Sequence, residues 1–115
     1  MNISLTAATI PFGAFAHYGA AKAALNAYSR TLAVELAPSG IRVNVVSPGV
    51  ISTPGSDEFS KAHPDFSPAD WIRSIPLGRI GAPEDIAEAV ALLVSDRAKF
   101  ITGANYRVDG GMTGA

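Results

Sequence analysis

The run from Ile41 to Ser47, with Val43, Val45 and Val46 inside it, stands between Pro38-Ser39-Gly40 and Pro48-Gly49. A short β-branched run bounded by breakers reads as a strand buried in a sheet. On its N-terminal side, from about Phe15 to Ala37, the residues Ala21, Leu25, Tyr28, Leu32 and Leu36 recur at three- and four-residue steps, the period of one helix face. Met1 to Leu5 reads as the last residues of an earlier strand, followed by a loop through Pro11, Phe12 and Gly13. Strand, long helix and strand make one βαβ unit, and two strands joined in this way run parallel.

The stretch from Ile51 to Arg79 breaks the pattern with Pro54, Pro64, Pro68 and Pro76. An irregular segment of this length in a compact domain reads as a functional lid or a disordered segment. Its aromatics Phe59, Phe66 and Trp71 argue against a solvated linker, and short helices are expected at Asp57 to Ala62 and Ala69 to Ser74. Ala82-Pro83-Glu84-Asp85 opens another helix, with Pro and acids in its first turn and Ile86, Ala89, Val90 and Leu93 as its apolar face. That helix is expected to end near Asp96, and Asn105 to Val108 reads as a last strand closed by Asp109-Gly110-Gly111. The order is β-α-β, lid, α-β: an α/β fold with a parallel sheet, in which residues 1–115 form one domain with the lid at about 51–79.

Composition narrows the function. The formal net charge is −1 and the 9 basic residues are scattered, so no electrostatic footprint for nucleic acid or an anionic membrane is present. No apolar run approaches the roughly 20 residues that span a bilayer, and the N-terminus carries no signal-peptide pattern. The chain has no cysteine, which removes thiol chemistry and disulfides and fits the cytoplasm. His17 and His63 are far apart and neither has a second ligand at helical spacing, so no metal is expected. The partner expected is a small molecule or another copy of the chain.

Tyr18 and Lys22 stand four apart near the start of the first helix, so their side chains share a face and converge. A free Tyr releases its proton only near pH 10, but a neighbouring ammonium stabilises the phenolate, and such a pair suits proton exchange with a hydroxyl or carbonyl. Tyr-x-x-x-Lys alone occurs in many helices by chance. Here it is accompanied by Asn2-Ile3-Ser4 at a strand end, Tyr18-Gly19-Ala20-Ala21-Lys22-Ala23-Ala24-Leu25 at a helix start, Ile41-Arg42-Val43-Asn44, Pro48-Gly49-Val50-Ile51-Ser52-Thr53, Gly78 to Ala87, and Val108-Asp109-Gly110-Gly111. In order, spacing and identity these segments resemble the C-terminal half of the short-chain dehydrogenase/reductase family.

The resemblance implies part of a doubly wound Rossmann-type parallel sheet that binds NAD or NADP outside the carboxyl ends of its strands. It implies an oxidoreductase acting on a secondary alcohol or ketone, in a homo-dimer or homo-tetramer. Tyr18 would be the acid/base on the substrate oxygen, and Lys22 would hold the nicotinamide ribose and stabilise the Tyr18 phenolate. Pro48 and Gly49 would form the turn beside the nicotinamide. Ile51 would meet its carboxamide through the backbone and Thr53 through the hydroxyl, unless Thr53 is merely a capping hydroxyl.

Two departures from the family's pattern matter. The family's catalytic serine usually lies thirteen residues before the tyrosine, where this chain has Leu5. Ser4 and Thr6 are the hydroxyls on either side; Ser4 is preferred, with a strand-end serine bonded to local backbone as the alternative. The family's Gly-rich phosphate-binding half has no counterpart in these residues, and Met1 reads as an internal start. A second role, as a non-catalytic oligomerisation module, therefore stays open. Arg42 and Glu35 flank the helix-to-strand turn and are expected to pair, and Ala20, Ala21, Ala23, Ala24 and Ala27 make a close-packing surface.

Overall fold

The computed structural model of the protein describes residues 1–11 and 13–114; Phe12, read above as part of the loop before the first helix, lies outside them. Three strands, β1 (Asn2–Ile3), β2 (Val45–Pro48) and β3 (Asn105–Val108), form one sheet in the order β1-β2-β3. All pairs are parallel, with Asn2 opposite Val45 and Val45 opposite Asn105. Helix α1 (Ala16–Leu36) crosses from β1 to β2. Helices α2 (Pro54–Ala62), α3 (Pro68–Ser74) and α4 (Pro83–Val94) lie between β2 and β3. The alternation read from the sequence is therefore the fold, an α/β sheet with parallel strands.

The central strand is the best-packed part of the chain: Val45, Val46 and Ser47 are buried in succession, as a strand covered on both faces requires. The ladder is shorter than Ile41 to Ser47 because the first half of that run is held by side chains instead. Val43 N–H donates to Thr102 Oγ1, Asn44 Nδ2 to the Ile101 carbonyl, and Ala104 N–H to Asn44 Oδ1. Likewise β1 occupies only two residues of the expected Met1 to Leu5, and a 3₁₀ turn, Thr6–Ala8, follows.

The buried stripe of α1 differs from the periodic one. Ser29 and Ala33 are its fully buried residues, whereas Tyr28 is 60% exposed and Ala21 also faces outward. Small residues let the helix lie close on the sheet, and Ser29 Oγ accepts from Asn2 Nδ2 at 2.8 Å while donating to the Leu25 carbonyl at 2.7 Å. The expected pairing of Arg42 with Glu35 does not form. Arg42 instead donates to the carbonyls of Leu93, Ser95 and Ile101, because the unpaired carbonyls at the C-terminus of α4 attract a cation.

Both short helices expected between Ile51 and Arg79 are present, each starting earlier than expected. Thr53 and Ser67 are their N-caps, and Pro54 and Pro68 take the first helical position, where a missing N–H costs nothing. The segment that carries these two helices leaves and rejoins the scaffold at one point. Ile51 pairs with Gly81 in an isolated parallel bridge, with Ser52 N–H donating to the Gly81 carbonyl and Gly81 N–H to the Val50 carbonyl.

Candidate active site

Parallel pairing puts the carboxyl ends of all three strands on one rim, so Ser4, Pro48 and Val108 come together there. Against this rim lies a cavity of about 720 Å³, walled on one side by the strand ends and the start of α1 and on the other by α2 and α3. Its lining includes every catalytic and cofactor-binding candidate read from the sequence: Ser4, Tyr18, Lys22, Pro48, Gly49, Ile51 and Thr53, together with Leu5 and Thr6.

Tyr18 lies in the first turn of α1, 42% exposed. The next residue has to be glycine for the helix to sit where it does. A Cβ on Gly19 would lie 2.8 Å from the Ala7 carbonyl oxygen, closer than side-chain carbons come to backbone oxygens. Lys22, one turn further, donates from Nζ to the Ile3 carbonyl at 2.8 Å and lies 5.6 Å from the centre of the Tyr18 ring. Its ammonium thus ties the helix to the end of β1 and stands beside the phenol. Ser4, almost fully buried, turns its Oγ toward the Lys22 carbonyl at 3.3 Å.

The strand-end turn after β2 is equally tight. A Cβ on Gly49 would come within 2.7 Å of Asp109 Cα, so only glycine lets the two strand ends approach. In the Ile51–Gly81 bridge the peptide groups engaged are those of Val50 and Ser52, which leaves the N–H and C=O of Ile51 directed to the other side of the chain. Thr53 Oγ1 accepts from Ser56 N–H at 3.1 Å as the cap of α2. A hydroxyl that accepts in this way keeps its proton for another partner, so capping and ligand binding are compatible.

Sequence reading passed over several walls of the cavity: Phe15, Asp57, Ile86 and Met112. Phe15 precedes Tyr18 by three residues and so shares its side of the chain entry, a spacing that was legible; Met112 is brought in only by the turn at Gly110-Gly111. Phe15 meets Phe59 with ring centres 5.2 Å apart. His17 and His63 are exposed, and His63 stacks on Phe59 at 4.2 Å. Among the described residues no group of His, Asp or Glu is disposed to hold a metal, and no helix is long and apolar enough to cross a membrane.

A family model described as enoyl-(acyl carrier protein) reductase matches residues 1–113. The 3β-hydroxysteroid dehydrogenase 1 of Eggerthella lenta is 46% identical over 114 residues, covering 98% of this chain and 42% of that protein. An oxidoreductase of the short-chain dehydrogenase/reductase family from Burkholderia thailandensis superposes with a TM-score of 0.91 at 34% identity, over 98% of this chain and 44% of that one. A 4-hydroxyisoleucine dehydrogenase complexed with NADH gives a TM-score of 0.89 at 34% identity, over 98% and 46%. The chain thus spans less than half the length of these relatives, and throughout that span its parallel sheet and helices are those of their Rossmann-type fold. By sequence and by structure, the chain belongs to the short-chain dehydrogenase/reductase family.

Proposed function

We propose that this chain supplies the acid/base side of an NAD(P)-dependent oxidoreductase that interconverts a small-molecule secondary alcohol and the corresponding ketone. The observation that carries this reading is the convergence of Tyr18 and Lys22 on one cavity with the strand-end turn Pro48 to Thr53. A lysine ammonium beside a phenol, on the rim where parallel strands end, is the arrangement that a proton transfer next to a bound nucleotide needs.

The residues fit a nicotinamide and its ribose. Lys22 Nζ has three protons and the Ile3 carbonyl uses one of them, so two remain for ribose hydroxyls. The peptide groups of Ile51 and the hydroxyl proton of Thr53 match the acceptor and donor of a carboxamide, and Pro48 and Gly49 form the floor of the turn. When bound, the dinucleotide supplies the hydride chemistry.

The chain's own residues supply the rest. The Tyr18 hydroxyl meets the substrate oxygen, giving its proton as a ketone is reduced and taking one as an alcohol is oxidised. Lys22 holds positive charge beside that oxygen whenever Tyr18 carries the phenolate. A hydroxyl from Ser4, or failing that Thr6, donates to the substrate oxygen and fixes its position. The segment 51–79 is the substrate lid and closes the site from water. The residues assigned here would hold the nicotinamide and its ribose, which NAD and NADP share, so they would serve either dinucleotide. Assembly as a homo-oligomer in the cytoplasm completes the reading.

The test is Tyr18→Phe in a protein that joins these residues to a Gly-rich dinucleotide-binding half. Only the phenolic oxygen is lost, so the fold should be kept while turnover falls on the order of 10²- to 10⁴-fold. Turnover within a few-fold of the parent would overturn the assignment.

A further inference from the structure

The two ends of the cavity differ in chemistry. The strand-end side carries Lys22, Thr53 and the turn at Pro48-Gly49, whereas the lid side is aromatic. Phe59 from α2 and Trp71 from α3 both line it, and Phe66 joins them behind the wall, 5.8 Å from Phe59 and stacked on Trp71 at 5.6 Å and 17°. Phe15 extends the same row from the other side of the cavity. The rings are tilted against one another, Phe15–Phe59 by 43° and Phe59–Phe66 by 52°, so they present an apolar aromatic wall that favours a ring-bearing apolar partner through ring-edge and ring-face contacts.

Charge along the lining points the same way. Its charged residues among those described are Lys22 and Asp57. The lysine is engaged at the Tyr18 end, so the lid side holds a carboxylate and no arginine that could clamp an anion in two-pronged fashion. The remaining polar groups there are neutral hydroxyls, such as Ser60. An anionic ligand entering the lid side meets the like charge of Asp57, with hydroxyl donors but no cation to offset it.

Resting on the oxidoreductase reading above, we propose that the substrate is a neutral, ring-bearing alcohol or ketone that packs on Phe59 and Trp71, with Phe66 backing both rings and Asp57 as the residue that turns anionic analogues away.

Trp71 is the chain's single tryptophan and stands in the wall itself, so its emission reports occupancy directly. The full chain is titrated with tetralone, a flat neutral ketone, with the carboxylate of the same ring system, and with butanone. Tetralone is expected to quench Trp71 saturably and to bind about tenfold or more tighter than either of the others. Asp57→Asn should strengthen the carboxylate about five- to tenfold and so close most of that gap. Phe59→Ala should weaken tetralone about fivefold or more, with Phe59→Leu as the milder variant and circular dichroism as the check on folding. Equal or tighter binding of the carboxylate, no saturable quenching by tetralone, or an unchanged ratio in Asp57→Asn would each overturn the proposal. Because this readout involves no hydride transfer, it separates from the reading on which it rests. Turnover that survives Tyr18→Phe sinks the acid/base assignment and leaves ring binding standing. An active enzyme that prefers anionic or linear substrates sinks the substrate class alone.

Discussion

Ser4 has one proton, and it is pointed at the Lys22 carbonyl across 3.3 Å, long for a hydroxyl bond. So weak a bond is given up at little cost, and a rotation about χ1 turns the hydroxyl toward the cavity that Ser4 already lines. In the joined enzyme, Ser4→Ala is therefore expected to lower kcat by more than Thr6→Ala does; the reverse ranking in parallel kinetics would move the role to Thr6. The example shows what the sequence could and could not tell about the site. The pairing of Tyr18 with Lys22 was legible because helix geometry fixes which residues share a face, and the turn at Pro48-Gly49 because breakers punctuate the chain. The hydroxyl was not, since Leu5 fills the usual position and rotamers are set by neighbours distant in sequence. Arg42 makes the same point: its partners are carbonyls at the end of α4, more than fifty residues away, and local charge suggested only Glu35.

The segment carrying α2 and α3 is held at its exit by the first turn of α4. Asp85 accepts from both nitrogens of the Arg79 guanidinium, at 2.7 and 2.9 Å, and from Ala82 N–H at 2.7 Å. These bonds, Arg79 foremost and the Ala82 amide next, hold its carboxyl at about 2, below the ordinary 3.8. A carboxylate with a depressed folded-state value stabilises the fold above its unfolded value and loses that contribution as pH falls through the folded one. The melting temperature of the parent should therefore exceed that of Asp85→Asn at neutral pH, with the difference intact down to about pH 4 and gone near pH 2. A difference that stayed constant across that window would mean the Arg79 pair contributes nothing. Among the elements, those the sequence defined best were set by breakers and caps: β3 lies at Asn105–Val108, as read from its flanks. Where tertiary contact decides, periodicity misled. The stripe through Tyr28 looked like the inner face of α1, but the sheet accepts Ser29 and Ala33 because they are small.

The accessible surface of the whole chain is 7070 Å², whereas a folded monomer of 11.9 kDa exposes roughly 6,000 Å². Part of the excess is apolar: Val34 is 77% exposed and Phe100 fully so. Among the described strands β1 pairs with β2 alone, so its other edge is open to pairing. The sequence also contains no G-x-G-x-x-G turn to cradle a pyrophosphate. As a free 115-residue polypeptide it is expected to self-associate in sizing experiments and to give no saturable NADH or NADPH fluorescence at micromolar concentrations. A monodisperse monomer that binds either nucleotide would contradict this. The bridge between Ile51 and Gly81 has a consequence for how such a molecule can change over time. Because Ile51 and Gly81 meet as neighbours, the residues between them form an insert whose two ends sit at one point of the scaffold, held by Ser52 N–H and by Arg79 on Asp85. On the lid reading proposed above, exchanging that insert while keeping Ser52, Thr53 and Arg79 is expected to change substrate preference and to leave Tyr18, Lys22 and the strand ends in place. Evolution, or an engineer grafting lids between homologues, need not rebuild the chemistry to alter what it acts on.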